Sequence, residues 1–264
     1  MSLDSSLLIF LGAGLAGGLL LGLIGVGMAL IAVPVLTFAL PRFGVPAEVA
    51  PLTAVATSMA VVAVSSVASA IAHQRLGNVD WWLAKAAIPF GLVGMLTGSL
   101  LAPHLPSTML RWIFAAFLMY VSVDMWRQGR SEAPRRVDVP TSRYRLAGGF
   151  IGLAGSLIGA GGTGLLVPFL TKRGHSMAHA VATSTVVGVP LSVLGTMAYA
   201  AQPSSVPGIA MVGHVFLPAF VGISLGSVIS APVGARLSKR LPAIALKRAF
   251  ALALLGLAIK LTVG

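Results

Sequence analysis

The chain of 264 residues is 57% hydrophobic and 9% charged, with a mean hydropathy of +0.96 and no cysteine. Soluble domains carry about 25% charged residues, so this composition excludes a soluble enzyme with one hydrophobic anchor. The missing cysteines exclude a disulfide framework and thiolate chemistry. A net charge of +12 does not signal nucleic acid here. Six of the 18 basic residues share one short loop and most others lie near segment ends, which is how a membrane protein sets its orientation.

In chain order, eight hydrophobic blocks can be drawn, at 5–40, 47–72, 81–102, 108–126, 144–171, 178–200, 213–234 and 243–262. No basic n-region precedes the first, so it is expected to be retained as a membrane segment and not cleaved as a signal peptide. Charge-free stretches such as 49–74 and 174–235 exceed the ~20 residues that an apolar helix needs to cross a bilayer. Between the fourth and fifth blocks stand Arg127, Arg130, Arg135, Arg136, Arg143 and Arg145, with Pro134 and Pro140. The expected organisation is a first transmembrane repeat at 1–126, a basic cytoplasmic loop at 127–145 and a second repeat at 146–264.

The two halves carry the same signs in the same order. Leu23-Ile24-Gly25-Val26-Gly27 with Val33-Pro34-Val35-Leu36-Thr37 matches Leu157-Ile158-Gly159-Ala160-Gly161 with Val167-Pro168-Phe169-Leu170-Thr171. Ala56-Thr57-Ser58 matches Ala182-Thr183-Ser184, and Gly94, Gly98 and Ser99 match Gly222, Gly226 and Ser227. Leu105-Pro106 matches Leu241-Pro242. Apolar composition alone does not place Pro, Thr-Ser and Leu-Pro in step, and internal duplication is common in secondary transporters.

Block 5–40 decides how the copies are related. As one helix its 36 residues would run ~54 Å, against a hydrocarbon core of ~30 Å. A break at Gly25-Val26-Gly27 turns it into a hairpin of two half-spanning helices that enters and leaves on one side, and 144–171 would do the same around Gly159–Gly162. With single crossings throughout, Lys and Arg divide 9 to 9 between the two sides; with two hairpins they divide 15 to 3, which the positive-inside rule favours. Three full crossings per half then invert the second half. The expected fold is an all-α polytopic membrane protein of two inverted repeats, each with a glycine-broken helical hairpin plus three transmembrane helices. The alternative is a long tilted first helix with parallel repeats.

The second arm of each hairpin begins near the bilayer midplane with unpaired N–H groups and the positive end of its dipole. Glycines let a ligand approach that backbone, and broken helices place anion sites there. The candidate substrate-binding residues are therefore Gly25, Val26, Gly27 and Met28, and Gly159, Ala160, Gly161, Gly162 and Thr163. Thr57, Ser58, Thr183 and Ser184 add neutral hydroxyl donors, which suit an oxyanion in a medium where a buried ammonium is costly. Close packing of small residues and hydroxyls bonded to their own helix are the competing readings. Ser65, Ser69 and Ser192 share the helical faces of these pairs.

His175 and His179 stand i, i+4, but no third ligand is evident, so no metal and no cofactor is expected. Enzyme motifs such as His-Glu-x-x-His and Gly-Lys-Ser/Thr are absent from the sequence. No catalytic activity and no nucleic-acid partner are expected. The partners expected are a small anion and the lipid bilayer; a coupling ion such as a proton, and self-association, stay open.

At these motifs the sequence resembles the TauE/SafE sulfite exporter family, also called the 4-toluene sulfonate uptake permease family. The family pattern of a glycine-rich turn, Val-Pro-x-Leu and Ala-Thr-Ser stands in both halves, and Gly77-Asn78-Val79-Asp80-Trp81 looks like the loop after its Thr-Ser helix. The first copy departs, with Met28 and Ala29 where further glycines are usual. The resemblance implies a bacterial inner-membrane permease for sulfite, sulfoacetate or other organosulfonates. The residues by themselves reach an anion site and not sulfur, so a passive anion channel or a carrier of another oxyanion or carboxylate stays open.

Overall fold

The computed structural model describes residues 3–24, 28–75, 77–128, 140–203, 206, 208–237 and 243–263. Gly25, Val26 and Gly27 lie outside the described residues, as do Arg130, Arg135, Arg136, Lys239, Arg240, Leu241 and Pro242. A chain in lipid must satisfy its backbone internally, which favours helices, and the described residues form ten of them. The helices are α1 (Leu3–Ile24), α2 (Ala29–Ala39), α3 (Ala50–Arg75), α4 (Trp81–Leu101), α5 (Ser107–Gln128), α6 (Thr141–Leu157), α7 (Thr163–Thr171), α8 (Met177–Ala200), α9 (Leu217–Leu237) and α10 (Ala243–Val263). Helices within Ala50–Arg75, Trp81–His104, Ser107–Arg127 and Met177–Ala200 are long and apolar enough to cross a membrane.

Local signals set several ends. Asp80 Oδ1 accepts from Leu83 N at 3.1 Å and starts α4, while Ser176 Oγ accepts from His179 N at 3.3 Å and starts α8. Pro140 precedes α6, where its fixed φ is tolerated.

Packing exchanges the two halves. α1 lies on α9 and α6 on α4; α3 pairs with α8 and α5 with α10; α2 rests on α3 and α7 on α8. The matched glycines explain the first two contacts. A Cβ on Gly94 would strike Gly149 O, and one on Gly98 would strike Ser156 Oγ. On the equivalent pair, a Cβ on Gly222 would come 2.8 Å from Phe10 Cβ, and one on Gly226 2.5 Å from Leu11 O. Small residues let these backbones approach closely, as helix pairs in lipid require. Across the α5–α10 contact, Ser122 Oγ donates to Ala251 O at 2.7 Å.

Ring contacts show that each broken helix returns to the side it came from. Tyr144, in the first turn of α6, stacks edge-on against Phe169 near the end of α7, with centroids 6.2 Å apart. Phe10 of α1 meets Phe43, in the 3₁₀ turn after α2, at 5.2 Å. Lys172, just after α7, pairs with Asp124 near the end of α5 at 3.3 Å, whereas Lys260 near the end of α10 lies 4.8 Å over the Phe38 ring of α2. Chain connectivity then places the two hairpins on opposite sides, with three crossings in each half. Burial works to lower the Lys172 pKa, but the Tyr120 hydroxyl and the Asp124 carboxylate outweigh it and hold it above the ordinary lysine value.

Two details differ from the sequence expectation. The hairpin arms are unequal: α1 and α6 have 22 and 17 residues, α2 and α7 have 11 and 9. At 1.5 Å per residue only the second arms, ~16 and ~14 Å, are half-spans. The first arms are longer because α6 draws in the polar residues Thr141–Arg143 and α1 begins at Leu3. Block 213–234 also does not begin as helix. Met211–Val212 and Val215–Phe216 form a small antiparallel hairpin, β1 and β2. Gly213, at φ +56°, takes the first turn position, where a two-residue hairpin of this class favours glycine.

Candidate functional site

The centre of the molecule is where α3 and α8 pack together; 61% of an 18-residue apolar stretch of each is buried, against 39% for α4. The break between α6 and α7 is clasped by these two helices. Ser58 of α3 donates its hydroxyl to Gly159 O at 3.1 Å. A Cβ on Gly161 would meet Val62 of α3 at 3.1 Å and Ser192 of α8 at 3.0 Å. Gly159, Gly161 and Gly162 have φ of +68°, +59° and +82°, a region that other residues enter only at a cost.

These conformations fold the chain back without a long loop. Thr163 bonds Ala160 O twice, through its N at 3.2 Å and its Oγ1 at 3.0 Å. Leu165 N and Leu166 N bond Gly162 O. Among the described residues, the amides of Gly161, Gly162 and Gly164 have no hydrogen-bond acceptor. They stand at the positive end of the nine-residue α7, which favours a bound anion.

The other candidate hydroxyls do different work. Thr57 Oγ1 accepts from Phe216 N at 3.0 Å, and Thr183 Oγ1 accepts from Asp80 N at 3.0 Å. Each threonine thus holds the residue that precedes a helix of the opposite half, α9 or α4. Ser184 Oγ returns to Val181 O at 3.0 Å. Ser65 and Ser192 likewise bond within their own helices, to Val61 O and Gly188 O. Met28 is buried and would crowd a Cβ on Gly17. The structure therefore brings together Ser58, Gly159, Ala160, Gly161, Gly162 and Thr163, and turns Thr57, Thr183 and Ser184 to other backbone partners.

Two residues escaped the sequence reading. Tyr199 and Ser156 are fully buried, and Tyr199 Oη donates to Ser156 O at 3.0 Å. A tyrosine inside an apolar block is itself a signal, because a buried phenol needs a partner. His179 Nδ1 lies 2.8 Å from Ser176 Oγ. Among the described residues no three His, Asp or Glu side chains gather as a metal site.

His214, in the β1–β2 turn, is 6% exposed, and burial holds its pKa below the ordinary histidine value. The folded hairpin therefore keeps it neutral, and the unfolded chain binds the proton first. Its contribution to stability is full above the unfolded value of ~6.5 and declines as pH falls below it. The midpoint of thermal unfolding should drop on acidification, and His214→Gln should flatten that dependence. An unchanged slope would assign it to other groups.

Two helical halves packed against each other, with the α6–α7 break held between α3 and α8, form an all-α polytopic membrane protein. Residues 10–261 match the family model for the sulfite exporter TauE/SafE, and the chain belongs to that family. A "probable membrane transporter protein" of Haemophilus influenzae is 30% identical over 257 residues, covering 97% of each chain. Proteins of the same description from Methanocaldococcus jannaschii and Bacillus subtilis are 26% and 28% identical; they align with 85% and 88% of this chain, and 83% and 90% of their own lengths. No solved structure matches it. The protein is a multi-pass membrane transporter and not an enzyme.

Proposed function

We propose that the transporter carries a small sulfur-containing anion, such as sulfite, sulfoacetate or another organosulfonate, across a bacterial inner membrane. The observation that carries this reading is the α6–α7 break, where the amides of Gly161, Gly162 and Gly164 lack acceptors at the positive end of α7. Neutral N–H donors satisfy an oxyanion without a buried ammonium. The repeats, 1–126 and 146–264, rock against each other about the α3–α8 crossing, and the 127–145 loop joins them on the cytoplasmic side. Thr57 and Thr183 serve as ties between the halves; Ser58 fixes the break. Sulfur as the substrate element comes from the family name and not from the donors, which would also suit a carboxylate.

The test is thermal unfolding of the purified protein in detergent against sulfite, thiosulfate, sulfoacetate, phosphate, acetate and divalent cations. A ligand bound only by the folded state raises the midpoint with the logarithm of its saturation. Stabilisation by sulfite or a sulfonate is expected. Stabilisation by divalent cations alone would overturn the reading and turn attention to His175 and His179.

A further inference from the structure

A broken helix presents two opposite ends at one place. The N-terminus of α7 carries partial positive charge, but the C-terminus of α6 beside it carries partial negative charge on carbonyls that each accept at most one backbone amide, from Ile158, Gly159 or Ala160, and keep a lone pair free. Such carbonyl ends coordinate cations in other broken-helix transporters. An anion site at this break therefore needs the carbonyl end to be masked.

Two side chains do this, one from each central helix. Ser58 of α3 donates to Gly159 O at 3.1 Å, and Tyr199 of α8 donates to Ser156 O at 3.0 Å. Both donors are fully buried, so water does not compete for the same carbonyls. Thr163 adds a third donor, on Ala160 O at 3.0 Å. We infer that Ser58 and Tyr199 are specificity-determining positioning residues, which mask the carbonyl end of the break so that its free amides set the sign of the bound ion. The inference rests on the anion reading above. Neither residue touches the anion; each acts through the backbone that does.

The experiment compares the wild type with Tyr199→Phe and Ser58→Ala, two changes that remove one oxygen and keep the remaining shape. Thermal unfolding is followed in sulfite and sulfoacetate titrations, each as the sodium and the choline salt. The expected result is a roughly tenfold weaker apparent affinity for the anion, the change that ~1.4 kcal/mol produces. A sodium-dependent stabilisation absent from the wild type should accompany it, because a carbonyl that loses its side-chain donor has a lone pair to offer a cation. Unchanged affinity in both variants would overturn the inference. So would weaker affinity with no sodium response, which is the mark of lost packing alone. If the wild type binds neither anion, the anion reading itself fails and the masking role falls with it.

Discussion

Replacing Gly162 by valine should abolish transport and leave a chain that still inserts in the membrane. Gly162 holds φ +82°, and an added Cβ would meet Ile151 Cγ2 at 3.1 Å and Leu191 Cδ2 at 3.2 Å. A β-branched residue there is a conformational outlier, and holding it costs on the order of 1–3 kcal/mol before any steric term. The chain can relieve the strain only by rotating the Gly161–Gly162 peptides, which redirects the amides that we propose bind the anion. Gly161→Val should act in the same way, since it combines φ +59° with contacts to Ser192 and Val62. Gly12→Val is the matched control, because a Cβ there meets nothing within 4 Å and the residue lies within α1. Uptake by reconstituted vesicles, with membrane fractionation for insertion, provides the measurement. Normal uptake by Gly162→Val would show that the break is a packing feature and not a site.

The broken helix was legible because glycine and proline are punctuation with a backbone meaning. Gly159-Ala160-Gly161-Gly162 reads as a break whatever surrounds it, and a 36-residue apolar block is too long to cross once. The repeat was legible because Gly94 and Gly98 and their counterparts Gly222 and Gly226 serve the same purpose, close approach of α4 to α6 and of α9 to α1. Hydroxyl partners were not legible. The amides held by Thr57 and Thr183 are 159 and 103 residues away, and helical spacing says which residues share a face but not what crosses it. Ser58 and Tyr199 show the same limit: their acceptors are carbonyls, which every residue has. The β1–β2 hairpin was hidden because its two-residue strands carry the apolar composition of the helix that follows.

Thr57→Val should lower stability more than Thr183→Val, although the two hydroxyls occupy equivalent places in the repeats. Valine keeps the shape and removes the acceptor. Phe216, whose amide Thr57 holds, is 4% exposed, and a buried amide without a partner costs ~1–3 kcal/mol. Asp80, whose amide Thr183 holds, is only partly buried, so water can replace much of that bond. The thermal midpoint in detergent measures the difference, and Thr57→Ser should recover most of the loss because it restores the oxygen. The same pair of variants separates a tie from a ligand. As ties between the halves, the threonines should change the transport rate and leave the concentration at half-maximal rate near that of the wild type, since neither amide they hold belongs to the break. A ligand role would give the reverse, with affinity falling in both variants and the midpoint unmoved. That second pattern would mean that the threonine O–H groups reach the anion directly. The substrate would then sit between the α3 and α8 hydroxyls and not at the amides of α7, and Gly162→Val would have to act indirectly.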